Sequence, residues 1–119
     1  HVIVTAYGRN VSPEWVESLL HAHPAVGHAV VQGDGKPALE AVLWPAHEAV
    51  SDRDLEEAIS QANASLPDYA RVARFVRGRM PYAAAAGVCT PNGRPRRPAI
   101  QTLHAAAFAA HPKGFDVIF

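Results

Sequence analysis

Apolar positions recur along the chain with two different periods, and their alternation predicts alternating strands and helices. Residues 2–4 form a short β-branched run that ends at the turn-forming residues 7–10. A serine, a proline and a glutamate at residues 12–14 then predict a helix start, since Ser caps helices and Pro fits the first helical position. The predicted inward face of this helix consists of Trp15, Val16, Leu19 and Leu20. The predicted outward face consists of Glu14, Glu17 and Ser18.

The middle of the chain predicts a β-hairpin followed by a second helix. Two strand-like runs, residues 26–32 and 38–44, flank the sequence Gly-Asp-Gly-Lys at residues 33–36, which is typical of a hairpin turn. Trp44, at the end of the second run, is expected in the core. Residues 51–54 resemble a capping box, and the apolar positions that follow recur at helical spacing.

The last third predicts one more strand, a long loop and a last helix. Residues 71–76 have strand composition, whereas residues 78–95 carry Gly, Pro and Asn without a period, which predicts a loop with room for a short hairpin. Pro98 opens a last helix with an inward face formed by Ile100, Leu103 and Ala107. The apolar residues 115–119 are expected to add an edge strand. This order predicts an α+β fold: a small mixed three-stranded sheet with helices packed on it, plus a short N-terminal strand or hairpin.

Length and composition predict one domain, residues 1–119, of an ordinary globular type. The formal net charge is zero, so no overall field draws the chain to nucleic acid or to a membrane. The lone Cys89 fits a reducing compartment, and we expect a cytoplasmic location and a semi-buried thiol. No apolar run reaches the roughly 18 residues of a membrane span, and no signal peptide is recognisable. Because the chain begins inside a strand without Met, we expect it to be cut from a longer one.

Seven histidines raise the question of a metal site. None stands at a metal-ligand spacing beside a Cys or a carboxylate. His21 and His23 are two positions apart at a helix end and do not share a face. No metal site is therefore expected, and His104 on the last helix is expected to be a half-buried polar residue.

Three segments, in this order, resemble the small C-terminal subdomain of the adenylate-forming superfamily, which comprises acyl- and aryl-CoA synthetases, peptide-synthetase adenylation domains and luciferases. Residues 7–17 (YGRNVSPEWVE) are similar to the family's glycine loop and the helix after it. Residues 63–70 (NASLPDYA) are similar to the step before its third strand. Residues 90–97 (TPNGRPRR) are similar to the loop that carries its catalytic lysine. The amino-acid sequences of these motifs are most similar to those of the long-chain fatty acyl-CoA ligases.

The resemblance implies that the chain is the mobile C-terminal part of an ATP-dependent acyl-CoA ligase and is inactive alone. A large N-terminal domain of the same polypeptide would bind ATP, magnesium and the carboxylate, and coenzyme A would accept the acyl group. The isolated chain would bind no cofactor tightly. The small domain would turn about a hinge upstream of residue 2, presenting its lysine loop for one half-reaction and its glycine loop for the other. The acyl substrate, and the choice between coenzyme A and a carrier protein as acceptor, stay open.

The resemblance also implies roles for individual residues. Arg94 stands where the family has its lysine, and its charge would stabilise the negative charge that develops during adenylation. Gly93 would give this loop the freedom to place the cation. Gly8 would let the backbone line a thioester channel, Arg9 would meet phosphates of coenzyme A, and Asn10 would shape the turn through left-handed geometry. Because arginine does not replace lysine geometrically, a slower adenylation, a cation from elsewhere and a different main activity all stay open.

Two other functions are open on the sequence alone. One is a nucleic-acid-binding module, because aromatic residues and a group of arginines lie in the second half of the chain. These arginines are Arg71, Arg74, Arg77, Arg79, Arg94, Arg96 and Arg97. The zero net charge weighs against this function, so no nucleic-acid partner is expected; for Arg97, at a helix start, a structural ion pair is the alternative. The other is a free-standing interaction domain of the same fold, whose exposed face would let the isolated chain dimerise.

Overall fold

The computed structural model of the chain describes residues 1–110 and the backbone of residues 113–114. Its strands are β1 (Ile3–Val4), β2 (Asn10–Val11), β3 (Val26–Gln32), β4 (Leu39–Pro45), β5 (Val72–Arg77) and β6 (Lys113–Gly114). Its helices are α1 (Pro13–His21), α2 (Asp52–Ala64) and α3 (Arg97–Ala110), with short 3-10 turns at Asp68–Ala70 and Ala84–Ala86. The predicted α+β class, with an N-terminal hairpin beside a mixed sheet, is confirmed.

The sheet has the order β3-β4-β5-β6. Strands β3 and β4 are antiparallel and joined by the predicted hairpin turn, whereas β4 and β5 are parallel. A parallel pair needs a crossover, and α2 supplies it. The short strand β6 extends the predicted three strands along the outer edge of β5. The strand predicted at residues 115–119 lies outside the described residues.

Each face of the sheet carries its own apolar cluster. Because side chains alternate along a strand, Ala41 and Leu43 of β4 point to one face and Val42 and Trp44 to the other. The first face packs against α1 and α2, and the second packs against α3. Strand β4 is consequently buried from Leu39 to Trp44, as expected for a strand that is covered on both faces.

Helix α2 begins with the predicted capping box. The Asp54 N–H donates to Ser51 Oγ at 3.1 Å, and the Ser51 N–H donates to Asp54 Oδ2 at 2.9 Å. The hydrogen bond from the Ser51 backbone N–H is the largest cause that lowers the pKa of the Asp54 carboxyl, and the Ser51 side chain lowers it further. Helix α1 begins at Pro13 behind Ser12, as predicted, although the Ser12 side chain makes no capping hydrogen bond.

Two predictions about the faces of α1 are wrong. Trp15 was expected in the core but is 41% exposed, whereas Glu17 was expected in solvent and is only 7% exposed. Glu17 is buried because its carboxylate finds hydrogen-bond donors on other elements, which are described below. An ion that is satisfied in this way can occupy a position that the polarity pattern assigns to solvent.

The inward face of α3 also differs from its prediction. Its buried residues are Ile100, His104 and Phe108, while Leu103 and Ala107 pack at the edge of the cluster. His104 was expected to be half-buried but is fully buried. Its ring is satisfied by backbone groups alone: Nε2 accepts the Arg79 N–H at 2.9 Å, and Nδ1 lies 2.7 Å from the Ile100 carbonyl. Because Nε2 accepts, Nδ1 carries the proton, and the imidazole is neutral.

Trp44 is buried, as predicted, and the backbone at Gly78 packs closely against its indole ring. Its indole N–H donates to the Met80 carbonyl at 2.5 Å. A Cβ added to Gly78 would lie 2.1 Å from Trp44 Cε2, so this position accepts only glycine. The contact fixes the start of the long connection between β5 and α3.

Candidate functional site

The loop of the first motif lies in a short hairpin, residues 3–11, which we call the glycine hairpin. The Thr5 N–H donates to the Arg9 carbonyl at 3.0 Å, and the Gly8 N–H donates to the Thr5 carbonyl at 3.0 Å. Gly8 has φ +76°, in the left-handed region, and a Cβ added there would meet nothing within 4 Å. Backbone conformation, not lack of space, therefore requires glycine at the tip of this hairpin.

The glycine hairpin is attached to the rest of the domain through its backbone and two apolar anchors. Ile3 and Val11 pair across it, and both are 1% exposed. The Ala6 N–H donates to the Lys36 carbonyl at 2.9 Å, and the Gly35 N–H donates to the Val4 carbonyl at 2.9 Å. The β3–β4 turn thus supports the glycine hairpin from the side.

Arg9 lies against a residue of the second motif. Its Cζ lies 4.2 Å from the centroid of the Tyr69 ring, a cation–π distance. Stacking uses the flat face of the guanidinium and leaves its N–H donors around the edge. A shallow pocket of about 250 Å³ opens beside this pair, lined by Thr5, Tyr7, Arg9, Pro37, Asp68 and Tyr69. The structure therefore brings the first two motifs together.

Asn10 does not have the left-handed geometry that was expected. It lies in β2 opposite Val4, and among the described residues positive φ angles occur only at glycines. Gly8 supplies the left-handed residue of the turn, which leaves Asn10 free to pair as ordinary extended strand. The left-handed geometry expected for Asn10 is therefore absent.

The third motif forms a second hairpin, residues 89–95, which we call the cation hairpin. Cys89, which is buried and not semi-buried as expected, pairs with Pro95 at its base. The Thr90 N–H donates to the Arg94 carbonyl at 2.8 Å, and the Gly93 N–H donates to the Thr90 carbonyl at 2.9 Å. Gly93 has φ +87°, as a tight hairpin of this kind requires. The short hairpin predicted within residues 78–95 is confirmed.

Arg94 leaves this hairpin as an exposed side chain on a defined backbone. Its N–H donates to Thr90 Oγ1 at 3.0 Å, and its side chain faces solvent. The Tyr82 hydroxyl donates to the neighbouring Gly93 carbonyl at 2.9 Å. Arg94 and Gly93 thus lie in one hairpin, and Gly8, Arg9 and Asn10 lie in the other.

Tyr82 is itself held by aromatic contacts. Its ring stacks on His28 with a centroid distance of 3.9 Å and meets the edge of Trp44 at 5.1 Å. Partial burial raises the pKa of the Tyr82 hydroxyl, which keeps it protonated as a donor. Burial, and secondly the charge of His21, lower the pKa of His28. The aromatic stack is therefore uncharged at neutral pH.

The start of α3 is fixed by a buried ion pair between Arg97 and Glu17. Arg97 Nη1 donates to Glu17 Oε2 at 2.8 Å, and Nη2 donates to Oε1 at 2.9 Å. The Val31 N–H also donates to Glu17 Oε2, at 2.8 Å. The hydrogen bond to Glu17 raises the pKa of Arg97. The alternative that Arg97 forms a structural ion pair is confirmed, whereas the role of Glu17 was missed because its partner is 80 residues away.

The arginines that suggested nucleic-acid binding are largely engaged within the domain. Besides Arg97, three of the seven form ion pairs with acidic side chains: Arg71 with Asp68, Arg74 with Glu40, and Arg77 with Asp52. Charges that are neutralised in this way contribute little to a basic surface. The structure therefore gives the nucleic-acid alternative no support beyond the sequence.

Within residues 1–110, no group of three or more His, Cys, Asp or Glu side chains is placed to hold a metal ion. None of the helices in the described part of the chain has the length and apolarity that crossing a membrane requires.

With this fold and these two hairpins, the sequence matches a known family. Residues 1–110 match the family described as AMP-binding enzyme C-terminal domain. The chain belongs to this family of adenylate-forming enzymes, as its three motifs predicted.

Particular relatives include long-chain-fatty-acid–CoA ligase FadD15 of Mycobacterium tuberculosis, which is 50% identical over 42 residues, 35% of this chain. The A-PCP didomain of carboxylic acid reductase from Segniliparus rugosus, solved in complex with AMP, superposes with a TM-score of 0.76 over 92% of this chain, at 18% identity. Amide bond synthetase McbA from Marinactinospora thermotolerans superposes with a TM-score of 0.64 over 86%, at 27% identity. The chain spans 7% of FadD15, 17% of the didomain and 20% of McbA.

Proposed function

We propose that this chain is the mobile C-terminal part of an AMP-forming acid–thiol ligase of the acyl-CoA synthetase kind. Membership of the AMP-binding C-terminal family supports the proposal. The observation that carries it is the exposed Arg94 at the exit of a defined hairpin, in the position of the lysine in the family motif. The long-chain ligase FadD15 is a partial relative, so a fatty acid is the acyl substrate that we propose.

In the first half-reaction, a carboxylate oxygen of the acid attacks the α-phosphorus of ATP. The bond from that phosphorus to the bridging oxygen breaks, and pyrophosphate leaves with the electron pair. Negative charge therefore grows on the bridging oxygen and on the leaving group, where a positioned cation is most effective. Arg94 supplies this cation, and its planar fork can donate to two phosphate oxygens at once.

In the second half-reaction, a thiol attacks the acyl carbon and AMP leaves. The glycine hairpin serves this step, since Gly8 exposes backbone without a side chain at its tip. Arg9, oriented by Tyr69, donates to phosphates of coenzyme A. Asn10 contributes by pairing with Val4, which keeps the hairpin in register.

The remaining parts of the reaction belong to the larger domain in this proposal. Arg94 and Arg9 carry N–H donors and positive charge, which suit the phosphates of a nucleotide and of coenzyme A. Magnesium and the acid would be held by the large N-terminal domain of the same polypeptide. This chain covers only 17–20% of the solved relatives, whose remaining length is enough for such a domain.

The proposal is tested by Arg94→Ala and Arg94→Lys in the full-length polypeptide. Adenylation is measured by ATP–pyrophosphate exchange, and thioester formation is measured separately from preformed acyl-adenylate. Loss of one charged donor is expected to slow adenylation by about 10²–10³-fold in Arg94→Ala, with thioester formation largely spared and partial activity in Arg94→Lys. Arg53→Ala, at an exposed position of α2, is the control.

An equal loss in both half-reactions of Arg94→Ala would contradict the role of Arg94. Isothermal titration of the isolated chain with ATP provides a second test. Binding should be weak, because this chain supplies only part of the nucleotide contacts, and tight binding would argue against the proposal.

A further inference from the structure

The Glu17 carboxylate lies where three elements meet. It belongs to α1, it accepts a hydrogen bond from Val31 of β3, and it pairs with Arg97 at the start of α3. The two charged side chains are well shielded from solvent: the side chain of Glu17 is 9% exposed, and that of Arg97 is 14% exposed. Charge-assisted, bidentate hydrogen bonds in such an environment are both strong and directional.

The geometry of this pair is set by the sheet and not by the loop. The Val31 N–H is part of a strand, so its hydrogen bond to Glu17 Oε2 fixes the carboxylate. Two parallel hydrogen bonds from Arg97 then fix the plane of the guanidinium relative to that carboxylate. Arg97 is therefore held at a defined place beside β3.

The segment between Arg97 and Arg94 has little freedom of its own. Pro95 has a restricted φ angle. The Arg96 N–H donates to the Val88 carbonyl at 2.9 Å, and Arg96 Nη1 donates to the Gly87 carbonyl at 3.2 Å. A position fixed at Arg97 is consequently transmitted through two constrained residues to Arg94.

We infer that Glu17 is a positioning residue for Arg94, acting through Arg97. The inference rests on the proposed function of Arg94. Glu17 does not meet the substrate; it fixes the C-terminal base of the cation hairpin so that the guanidinium of Arg94 is presented in one orientation. Misplacement of a reacting or stabilising group by about 1 Å can slow a reaction 10²-fold, so loss of this anchor affects the step that uses Arg94.

The test is Glu17→Gln in the full-length polypeptide, with both half-reactions measured as above. Glutamine keeps the size of the side chain and an acceptor for the Val31 N–H, but it loses the charge and one acceptor for Arg97. Adenylation is expected to slow by about 10–100-fold, whereas thioester formation from preformed adenylate changes less than about twofold. Glu57→Gln, an exposed position on α2, should change neither step.

A merely structural role for Glu17 would lower both half-reactions together, since both need folded protein. The double variant Glu17→Gln with Arg94→Ala separates the two roles further. If Glu17 acts through Arg94, the double variant adenylates no more slowly than Arg94→Ala alone. An additional loss in the double variant would overturn the inference.

Arg94→Ala also separates failure of this inference from failure of the proposed function. If Arg94→Ala slows adenylation selectively while Glu17→Gln affects both steps equally or neither, the positioning role is wrong and the proposed function stands. If Arg94→Ala leaves adenylation unchanged, the role proposed for Arg94 is wrong, and the positioning role falls with it. If the unaltered full-length polypeptide catalyses no ATP–pyrophosphate exchange, the proposed function itself is wrong. Should Glu17→Gln lose its circular-dichroism signal of folding, Arg97→Lys, which keeps the charge but not the fork, is judged by the same criteria.

Discussion

The glycine hairpin and the cation hairpin are both tight turns closed by a left-handed glycine, yet they are supported differently. The glycine hairpin depends mainly on backbone hydrogen bonds to the β3–β4 turn and on the buried pair Ile3 and Val11. The cation hairpin depends more on polar side chains. The Thr90 hydroxyl, which accepts the Arg94 N–H, has a counterpart in the Thr5 hydroxyl of the glycine hairpin, which accepts the Arg9 N–H at 3.2 Å. The supports found only at the cation hairpin are the Tyr82 hydroxyl and the Arg97–Glu17 pair.

This difference determines how each hairpin responds to substitution. Backbone hydrogen bonds survive most changes of side chain, so the glycine hairpin should be most sensitive to changes of its core anchors or its glycine. Hydrogen bonds from side chains are lost one at a time, and each typically contributes about 0.5–1.5 kcal/mol. The cation hairpin should therefore loosen in small steps without unfolding of the domain.

The largest expected effect is that of Ile3→Ala on stability. Removal of a fully buried isoleucine side chain is expected to lower the free energy of unfolding by about 2–5 kcal/mol. The matched control is Val4→Ala at the next position, which is 47% exposed and should change stability by less than about 0.5 kcal/mol. Urea unfolding measures both, and equal effects would show that Ile3 does not anchor the glycine hairpin.

Gly8→Ala and Gly93→Ala are matched substitutions that should have an intermediate effect on stability. Both glycines have positive φ angles, and a Cβ on either would meet nothing within 4 Å. Each substitution is therefore expected to destabilise the domain by about 1–2 kcal/mol through the backbone alone. Their kinetic effects should differ: Gly8→Ala slows thioester formation and Gly93→Ala slows adenylation in the full-length polypeptide. The same kinetic profile for both variants would remove the functional distinction between the hairpins.

Tyr82→Phe should have a smaller and local effect. It removes the hydroxyl that donates to the Gly93 carbonyl and leaves the stack on His28 in place. We expect the free energy of local opening of the cation hairpin to fall by about 0.5–1.5 kcal/mol. This loss should be seen as faster amide hydrogen exchange at Gly93 and Arg94. Tyr7→Phe, at an exposed tyrosine of the glycine hairpin, is the control. Unchanged exchange at Arg94 would show that Tyr82 does not support the cation hairpin.

The smallest effect at neutral pH concerns His104. Burial, the largest cause, lowers its pKa below the ordinary value of 6.5, and its hydrogen bond with the Arg79 N–H requires the neutral ring. Below pH 6.5 the unfolded chain therefore binds the proton more readily than the folded chain, so stability falls as the pH drops from 6.5 through the lowered pKa.

NMR titration of the His104 ring measures this pKa directly. Hydrogen exchange at the Arg79 amide, corrected for the intrinsic rate, should accelerate in the same pH range, while the backbone hydrogen bonds of the glycine hairpin stay protected. A ring midpoint at or above 6.5 would contradict the assignment of a neutral, buried imidazole.

Local sequence signals predicted most of the architecture. The Gly-Asp-Gly-Lys turn, the capping box at Ser51 and the β-branched runs act over a few residues, and each produced the expected element. The failures share a different physical cause. Glu17 and His104 are buried because backbone or side-chain partners far along the chain satisfy them, and a polarity pattern contains no information about such partners.

The candidate site was predictable to a similar extent. The motifs located Gly8, Gly93 and Arg94, and the two glycines have the left-handed angles that their loops require. Asn10 was misjudged because Gly8 already provides the one left-handed residue of that turn. The supports of the cation hairpin, Tyr82 and Glu17, act through tertiary contacts and carried no local signal.

The close packing of Trp44 over Gly78 has a practical consequence for spectroscopy. Trp44 is enclosed and donates its indole N–H to a carbonyl, whereas Trp15, the other tryptophan, is partly in water. A buried indole emits at shorter wavelength than a hydrated one, so a Trp15→Phe variant would leave Trp44 as the single tryptophan, at the start of the β5–α3 connection. Its emission would follow rearrangement of that connection in real time without any attached dye.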